Sequence, residues 1–297
     1  MRRVVGHDGA LSSPLLSLGS AGQAGGGGSI GAATGLFRRQ LSLSGIVGSP
    51  SLSILKGICV VPDATGGGKL IVSSEDTGGA LIVYDIRNWE DLSDPANSVV
   101  SHGQVSPGNR MMVAAADGSH FAFFGSASPI SVYRLTTPWD VNTMVLDWSV
   151  GNPISHASKY ACFARDGSYL LRFRQETGSP DYISYLDKWN AATPWDFSGI
   201  DTATPDQSVL VPSEIKNNGG GGIFMPADDE LCCFNSSDVG LGYGVQTLRF
   251  GTNGDLDTLT YQGQRPDPHN SSSEQFAYAP DRTLWLVENR GYLTEQY

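Results

Sequence analysis

Apolar and polar residues alternate along most of the chain in short runs closed by Gly, Pro, Asn or Asp, and nowhere does a 3.6-residue period persist over ten residues. Alternation of this kind predicts half-buried β-strands, and the missing helical period argues against packed helices. Five pairs of runs read as hairpins: Ile58–Ser74, Met111–Gly125, Tyr160–Arg174, Gly222–Asn235 and Phe276–Asn289. Two of their turns are Asp-Gly, at Asp117-Gly118 and Asp166-Gly167. That dipeptide suits a tight turn because it tolerates positive φ. A third strand follows each hairpin, at Leu81–Asp85, Ile130–Leu135, Tyr182–Leu186, Val245–Phe250 and Gly291–Glu295. A fourth follows in four of the five units, at Ser98–Val105, Met144–Val150, Ser208–Val211 and Thr258–Gln262.

Between third and fourth strands the chain repeats itself. Ile130–Thr143 (ISVYRLTTPWDVNT) recurs as Ile183–Gly199 (ISYLDKWNAATPWDFSG) and, more loosely, as Leu81–Ser93 (LIVYDIRNWEDLS). Pro138 and Pro194 fix φ and remove a donor, so the strand must stop there. Asp140 and Asp196 can accept hydrogen bonds from backbone N–H groups two or three residues on. Trp89, Trp139 and Trp195 are large apolar plates, expected to lie buried at the seams between sheets.

Repeats of roughly 50–60 residues, each worth four strands, fit propeller blades and exceed any β-helix rung. The fold expected is therefore all-β, a propeller of five four-stranded blades. The fifth unit lacks its own fourth strand, and Gln40–Val47 is the spare strand that would complete it by pairing with Gly291–Gln296. Such a closure removes the exposed edges of an open sheet. The fourth unit strains the pattern, because its turn, Phe250–Thr258, has neither Pro nor Trp.

Composition separates residues 1–39 from the propeller at 40–297. The first 39 residues hold ten glycines and few apolar clusters, a composition that suits a disordered tail or an extended arm ordered by a partner, and the arm is the expectation. Arg2, Arg3, Arg38 and Arg39 against Asp8 give this arm a net +3, which leaves −14 of the chain's −11 on the body. A strongly acidic body argues against wrapping nucleic acid. A basic arm suits docking onto an acidic neighbouring surface, with these four arginines as the docking residues. Asp8 and Pro14 break the only stretch resembling a secretory signal. No run approaches the roughly 18 apolar residues of a membrane span.

Candidate chemistry is sparse. Five-bladed propeller glycosidases use paired carboxylates near the axis. The candidates here, Asp63, Asp117, Asp166, Asp228, Asp229 and Asp281, occupy the same hairpin position in every repeat. A catalytic residue should break a repeat, which makes Glu75-Asp76 and Glu288 the better enzymatic candidates. The histidines, at 7, 102, 120, 156 and 269, show no metal-ligand spacing. Asp255-Leu256-Asp257 resembles part of a calcium loop without its closing Glu. Cys59, Cys162, Cys232 and Cys233 fall on strands with no CxxC motif, and read as small core residues. No cofactor is expected. Tyr243, Tyr292 and Tyr297 are loop aromatics that could stack on a sugar.

The segment Tyr133–Thr143 (YRLTTPWDVNT), with Thr193–Ser198 (TPWDFS) and the degenerate Trp89–Ser93 (WEDLS), resembles a repeat of tailed-bacteriophage virion proteins. There it recurs in propeller-like domains of tail fibres and other particle components. The resemblance covers residues 57–200 well and the remainder only through the hairpins. It implies a non-enzymatic virion protein, tail-associated, synthesised in the host cytoplasm. Its partners would be other virion proteins through the arm, sister copies in a homo-oligomer, and a host surface glycan or protein. A head fibre or capsid decoration, a glycan-cleaving propeller and a host-encoded scaffold are the alternatives.

Overall fold

The structure, a computed structural model, describes residues 38–41, 43–50, 55–74, 79–104, 111–125, 128–150, 161–176, 183–211, 223–235, 244–266, 275–278, 284–287 and 293–296. Its strands form five four-stranded antiparallel sheets arranged as a β-propeller. The first sheet comprises β2 (Leu55–Pro62), β3 (Gly68–Ser74), β4 (Ala80–Ile86) and β5 (Ser98–Gln104). The second follows as β6 (Met111–Ala114), β7 (His120–Gly125), β8 (Ser128–Leu135) and β9 (Met144–Val150). The third holds β10 (Ala161–Phe163), β11 (Tyr169–Glu176), β12 (Ile183–Asn190) and β13 (Gln207–Leu210). The fourth holds β14 (Ile223–Ala227), β15 (Glu230–Asn235), β16 (Gly244–Phe250) and β17 (Leu259–Pro266). The last sheet combines β18 (Gln275–Tyr278), β19 (Leu284–Val287) and β20 (Leu293–Gln296) with β1 (Arg38–Leu41) from the front of the chain.

First strands lie side by side: β2 against β6, β6 against β10, β10 against β14, β14 against β18, and β18 against β2. Burial falls from the first strand outward. All of β2 is buried except Pro62, whereas β5 and β13 alternate exposed and partly covered positions. A strand covered on both faces needs a continuous apolar run, and one at an edge does not. The apolar clusters lie at the seams. One joins Ile58, Leu70 and Tyr84 of the first sheet to Ala277 of the last. A second joins Ile71 and Val83 to Phe121 and Phe123. The largest runs through the second, third and fourth sheets around Phe163, Phe197 and Leu248.

The closing strand differs from its expected bounds. Pairing with β20 runs from Arg38↔Gln296 to Leu41↔Leu293, so Arg38 and Arg39 belong to a sheet rather than to the arm. Beyond β1 the chain makes a 3₁₀ turn at Leu43–Gly45, and Val47 then bridges in parallel to Ser98 of the first sheet. The turn serves the core, since it drives Leu43 and Ile46 into the cluster between the last and first sheets. Strand Gln40–Val47 is thus two short pieces serving two sheets. Arg2 and Arg3 lie outside the described residues. No helix among the described residues is long and apolar enough to cross a membrane.

A chain beginning at Arg38 should therefore keep the unfolding midpoint of the full chain in urea. One beginning at Pro50 loses β1, Leu43 and Ile46. It should lose about 3–6 kcal/mol for the two buried side chains alone.

Candidate functional site

In the first four sheets the connections from first to second strand and from third to fourth lie at the same end, and they build one rim from aspartate turns. After the third strand of each of these four sheets the pattern is Asp, a buried apolar residue, then a polar residue. The aspartate accepts the backbone N–H two residues on: Ser93 to Asp91 at 2.9 Å, Asn142 to Asp140 at 3.1 Å, Ser198 to Asp196 at 3.0 Å and Asp257 to Asp255 at 3.1 Å. Between them sit Leu92, Val141, Phe197 and Leu256, all buried. In the first unit the acid in this role is Asp91, not the Glu90 that follows Trp89. Trp89 is buried in the seam between the last and first sheets, away from the position that Trp139 and Trp195 occupy.

Trp139 and Trp195 have φ of 66° and 71°, a left-handed conformation rare outside glycine. Each donates its backbone N–H to the glycine carbonyl of its own sheet's hairpin, Trp139 to Gly118 at 3.2 Å and Trp195 to Gly167 at 2.9 Å. The indole then lies on that glycine: a Cβ added at Gly118 would stand 2.3 Å from the Trp139 ring, and one at Gly167 2.4 Å from Trp195. Both glycines also have positive φ, 73° and 74°. Trp195 is 7% exposed, as expected of a seam plate, whereas Trp139 is only partly buried.

The fourth unit keeps this turn without Pro or Trp. Phe250 donates to Asp229 as Leu135 donates to Ser119, and Gly251 to Thr258 as Thr136 to Thr143. Asp140 and Asp255 cap their 3₁₀ turns at nearly the same dihedrals, −93°/100° and −91°/105°. Gly254, φ 70°, takes the tryptophan's place. Its hairpin, Ala227↔Glu230 around Asp228-Asp229, is shortened and carries no glycine. Ring and glycine are thus lost together.

Each turn also docks on the preceding sheet. Ser101 of β5 donates to the Trp139 carbonyl at 2.6 Å and accepts from Val141 N–H at 3.2 Å. Trp148 of β9 packs on Phe197, with ring centroids 5.7 Å apart. Gln207 of β13 accepts from Leu256 N–H and donates to Asp255 and Asp257. In the first three sheets the residue just after the hairpin turn completes the seam. Lys69 lies 5.8 Å from the Trp139 ring centre, His120 stacks on Trp195 at 5.6 Å, and Tyr169 lies against Gly254.

Three of the hairpin carboxylates are engaged in the same way. Asp63 accepts from Thr65 N–H and Oγ1 and from Gly67 N–H, and it pairs with Arg87 at 3.1 Å. Asp117 and Asp166 each accept the N–H and hydroxyl of the serine two residues on. Asp228 is exposed, and Asp229 lies 3.4 Å from Arg249. Hydrogen bonds from Thr65 and Ser119 hold Asp63 and Asp117 below the ordinary carboxylate range, and those from Ser198 and Ala203 do so for Asp196 and Asp201. A depressed carboxylate is a poor general acid. Glu75, Asp76, Asp281, Glu288, Tyr243, Tyr292 and Tyr297 lie outside the described residues.

A constellation that the sequence did not suggest is Ser119–His120–Asp147. Nδ1 of His120 is 2.8 Å from Ser119 Oγ, and Nε2 is 3.8 Å from Asp147. The serine's hydroxyl already donates to Asp117 at 2.6 Å, so Nδ1 must carry the proton that joins the pair. A base drawing a proton from Ser119 would need that nitrogen bare. Among the described residues no cluster of three or more His, Cys, Asp or Glu could hold a metal ion. Cys59, Cys162 and Cys232 are buried and not joined in disulfides. A cleft of about 600 Å³ lies beside Trp189, Ile200 and Asp206 in the third sheet's outer loop. Its acids are engaged within that loop: Asp201 by Ala203 and Thr204, Asp206 by Asn190.

No family model matches the chain, and no curated protein matches it. Among solved structures it is similar to Kuenenia stuttgartiensis hydrazine synthase at 12% identity and a TM-score of 0.40, over 79% of this chain and 61% of that one.

Gly118→Ala should cost about 1–2 kcal/mol for the left-handed backbone and a further 1–3 kcal/mol, roughly, for overpacking against the indole. In a double-mutant cycle, Trp139→Gly should abolish the second part while leaving the turn intact, as at Gly254. Trp195→Ala, at the more buried ring, should cost about 3–5 kcal/mol. Acid should weaken the rim with a definite sign. Carboxylates held below their unfolded value of about 3.9 contribute stability above it, and lose it as pH falls through their lower folded values. Urea unfolding between pH 5 and 2 should show that loss, and Asp117→Asn should reduce it.

Proposed function

We propose that this chain is a non-enzymatic structural component of a tailed-phage virion: a ring of five four-stranded blades closed by β1, carried into the particle by the Gly-rich arm at residues 1–37. A tail-associated role, as fibre, tip or adaptor, is preferred over a head fibre or capsid decoration. The observation that supports this reading is the aspartate rim. Asp63, Asp117, Asp166 and Asp196 are each engaged by the N–H and hydroxyl of the threonine or serine two residues on, which serves repeat geometry and leaves little to act on a substrate.

The resemblance of Tyr133–Thr143 and Thr193–Ser198 to virion repeats supports the class of particle; with Arg38 and Arg39 in β1, residues 1–37 keep Arg2 and Arg3 against Asp8, a net +1, so attachment rests on the glycine content of the arm rather than on its charge. Fixing a Gly-rich segment costs about 1–2 kcal/mol per residue in backbone entropy, so its ordering contacts must come from a partner, and glycine lets partner backbones approach closely. In the particle the partners are other virion proteins and sister copies, with a host surface glycan or protein at the exposed face.

Purified particles should contain the chain at a fixed copy number by quantitative mass spectrometry. A chain lacking residues 1–37 should melt like the full chain yet fail to enter particles made without the native protein. Normal incorporation would move the docking surface to the propeller, and absence from particles would remove the virion reading.

A further inference from the structure

We propose that His120 makes the seam between the second and third sheets sensitive to protonation, so that mild acid loosens this seam while its two neighbours hold. The position itself supplies the comparison. The residue after the hairpin in three successive sheets faces the left-handed residue of the next turn: Lys69 faces Trp139, His120 faces Trp195 and Tyr169 faces Gly254. One seam thus holds a permanent cation and another a neutral ring. Of these three residues only His120 changes charge near neutrality.

What lies opposite decides how each seam treats a charge. Lys69 pairs in register with Asp85, and Nζ meets that carboxylate at 2.8 Å. His120 pairs instead with Arg134, a second cation. The acids near His120 are poorly placed to compensate. Asp147 stands 3.8 Å from Nε2 and is shared with Arg134 Nε at 3.5 Å. Asp117 is held by Ser119. From the third sheet the group against His120 is the Trp195 ring, parallel to within 1° and uncharged. It excludes water from one face of the imidazole. Burial has the largest effect on His120 and lowers its affinity for a proton; Asp147 and Asp117 raise it, Arg134 lowers it, and the balance is a lowered value.

The linkage has a definite sign. A histidine that resists protonation in the folded chain contributes its full stability above the unfolded value of about 6.5. That contribution falls as pH drops through the folded value, and levels off once the ring is charged in both states.

The test compares the full chain with His120→Phe, which cannot titrate, and with Arg134→Asp, which restores the Lys69–Asp85 arrangement at this seam. Arg134 is half exposed, so its substitution leaves the core untouched. From pH 8 to 5 the folding equilibrium constant of the wild-type chain should fall several-fold relative to His120→Phe and then level. Arg134→Asp should abolish or reverse that fall. Imidazole proton NMR, with the His120 signal assigned by its loss in His120→Phe, should give a midpoint below that of an unstructured histidine peptide. Parallel stability curves for wild type and His120→Phe, or a His120 midpoint at or above the peptide's, would overturn the proposal.

Discussion

The fold depends on how an antiparallel strand turns back at the rim without leaving backbone donors unsatisfied. An aspartate carboxylate does this by accepting the N–H two residues ahead, at Asp91, Asp140, Asp196 and Asp255 alike. Fixing those two positions also fixes the residue between them, which must point inward. One short hydrogen bond therefore sets the strand's exit direction and delivers Leu92, Val141, Phe197 or Leu256 to the core. The side chain is consumed by architecture.

From that constraint the seams follow. The inward residue meets the outer strand of the preceding sheet, through Ser101, Trp148 or Gln207. In three of these turns the residue ahead of the aspartate, Trp139, Trp195 or Gly254, sits in left-handed geometry against the preceding sheet's second strand. Where that residue is tryptophan, its ring needs a glycine beneath it, and Gly118 and Gly167 provide one. Where it is Gly254, the third sheet fills the space with Tyr169, whose hydroxyl reaches Asn253 at 3.1 Å. The repeats share a backbone and trade volume across the seam.

Much of this was legible in the chain because strands and turns are local. Alternation located the hairpins, Asp-Gly located two of their turns, and a spare strand near residue 40 pointed to β20. What the sequence hid is long-range or stereochemical. Nothing in Thr-Pro-Trp-Asp announces that the tryptophan has positive φ, since bulky residues there are rare. Trp89-Glu90 aligned with Trp-Asp by identity, yet the fold uses Asp91, because hydrogen bonding rather than the neighbouring indole defines the position. His120 looked scattered for a related reason: Arg134, Asp147 and Trp195 are its neighbours only once two sheets have formed.

The last sheet has a consequence for how the protein is made. Arg38 pairs with Gln296, so one of the earliest strands to leave the ribosome has its partner among the latest. At roughly 5–20 residues per second, β1 waits on the order of 10–50 s with its edge open. Throughout that interval the nascent chain carries an unpaired strand next to Leu43 and Ile46, two side chains destined for the interior. The protein is therefore most exposed to mispairing while it is being synthesised. A slow codon stretch anywhere between β2 and β19 would lengthen the vulnerable period without altering a single residue of the finished fold.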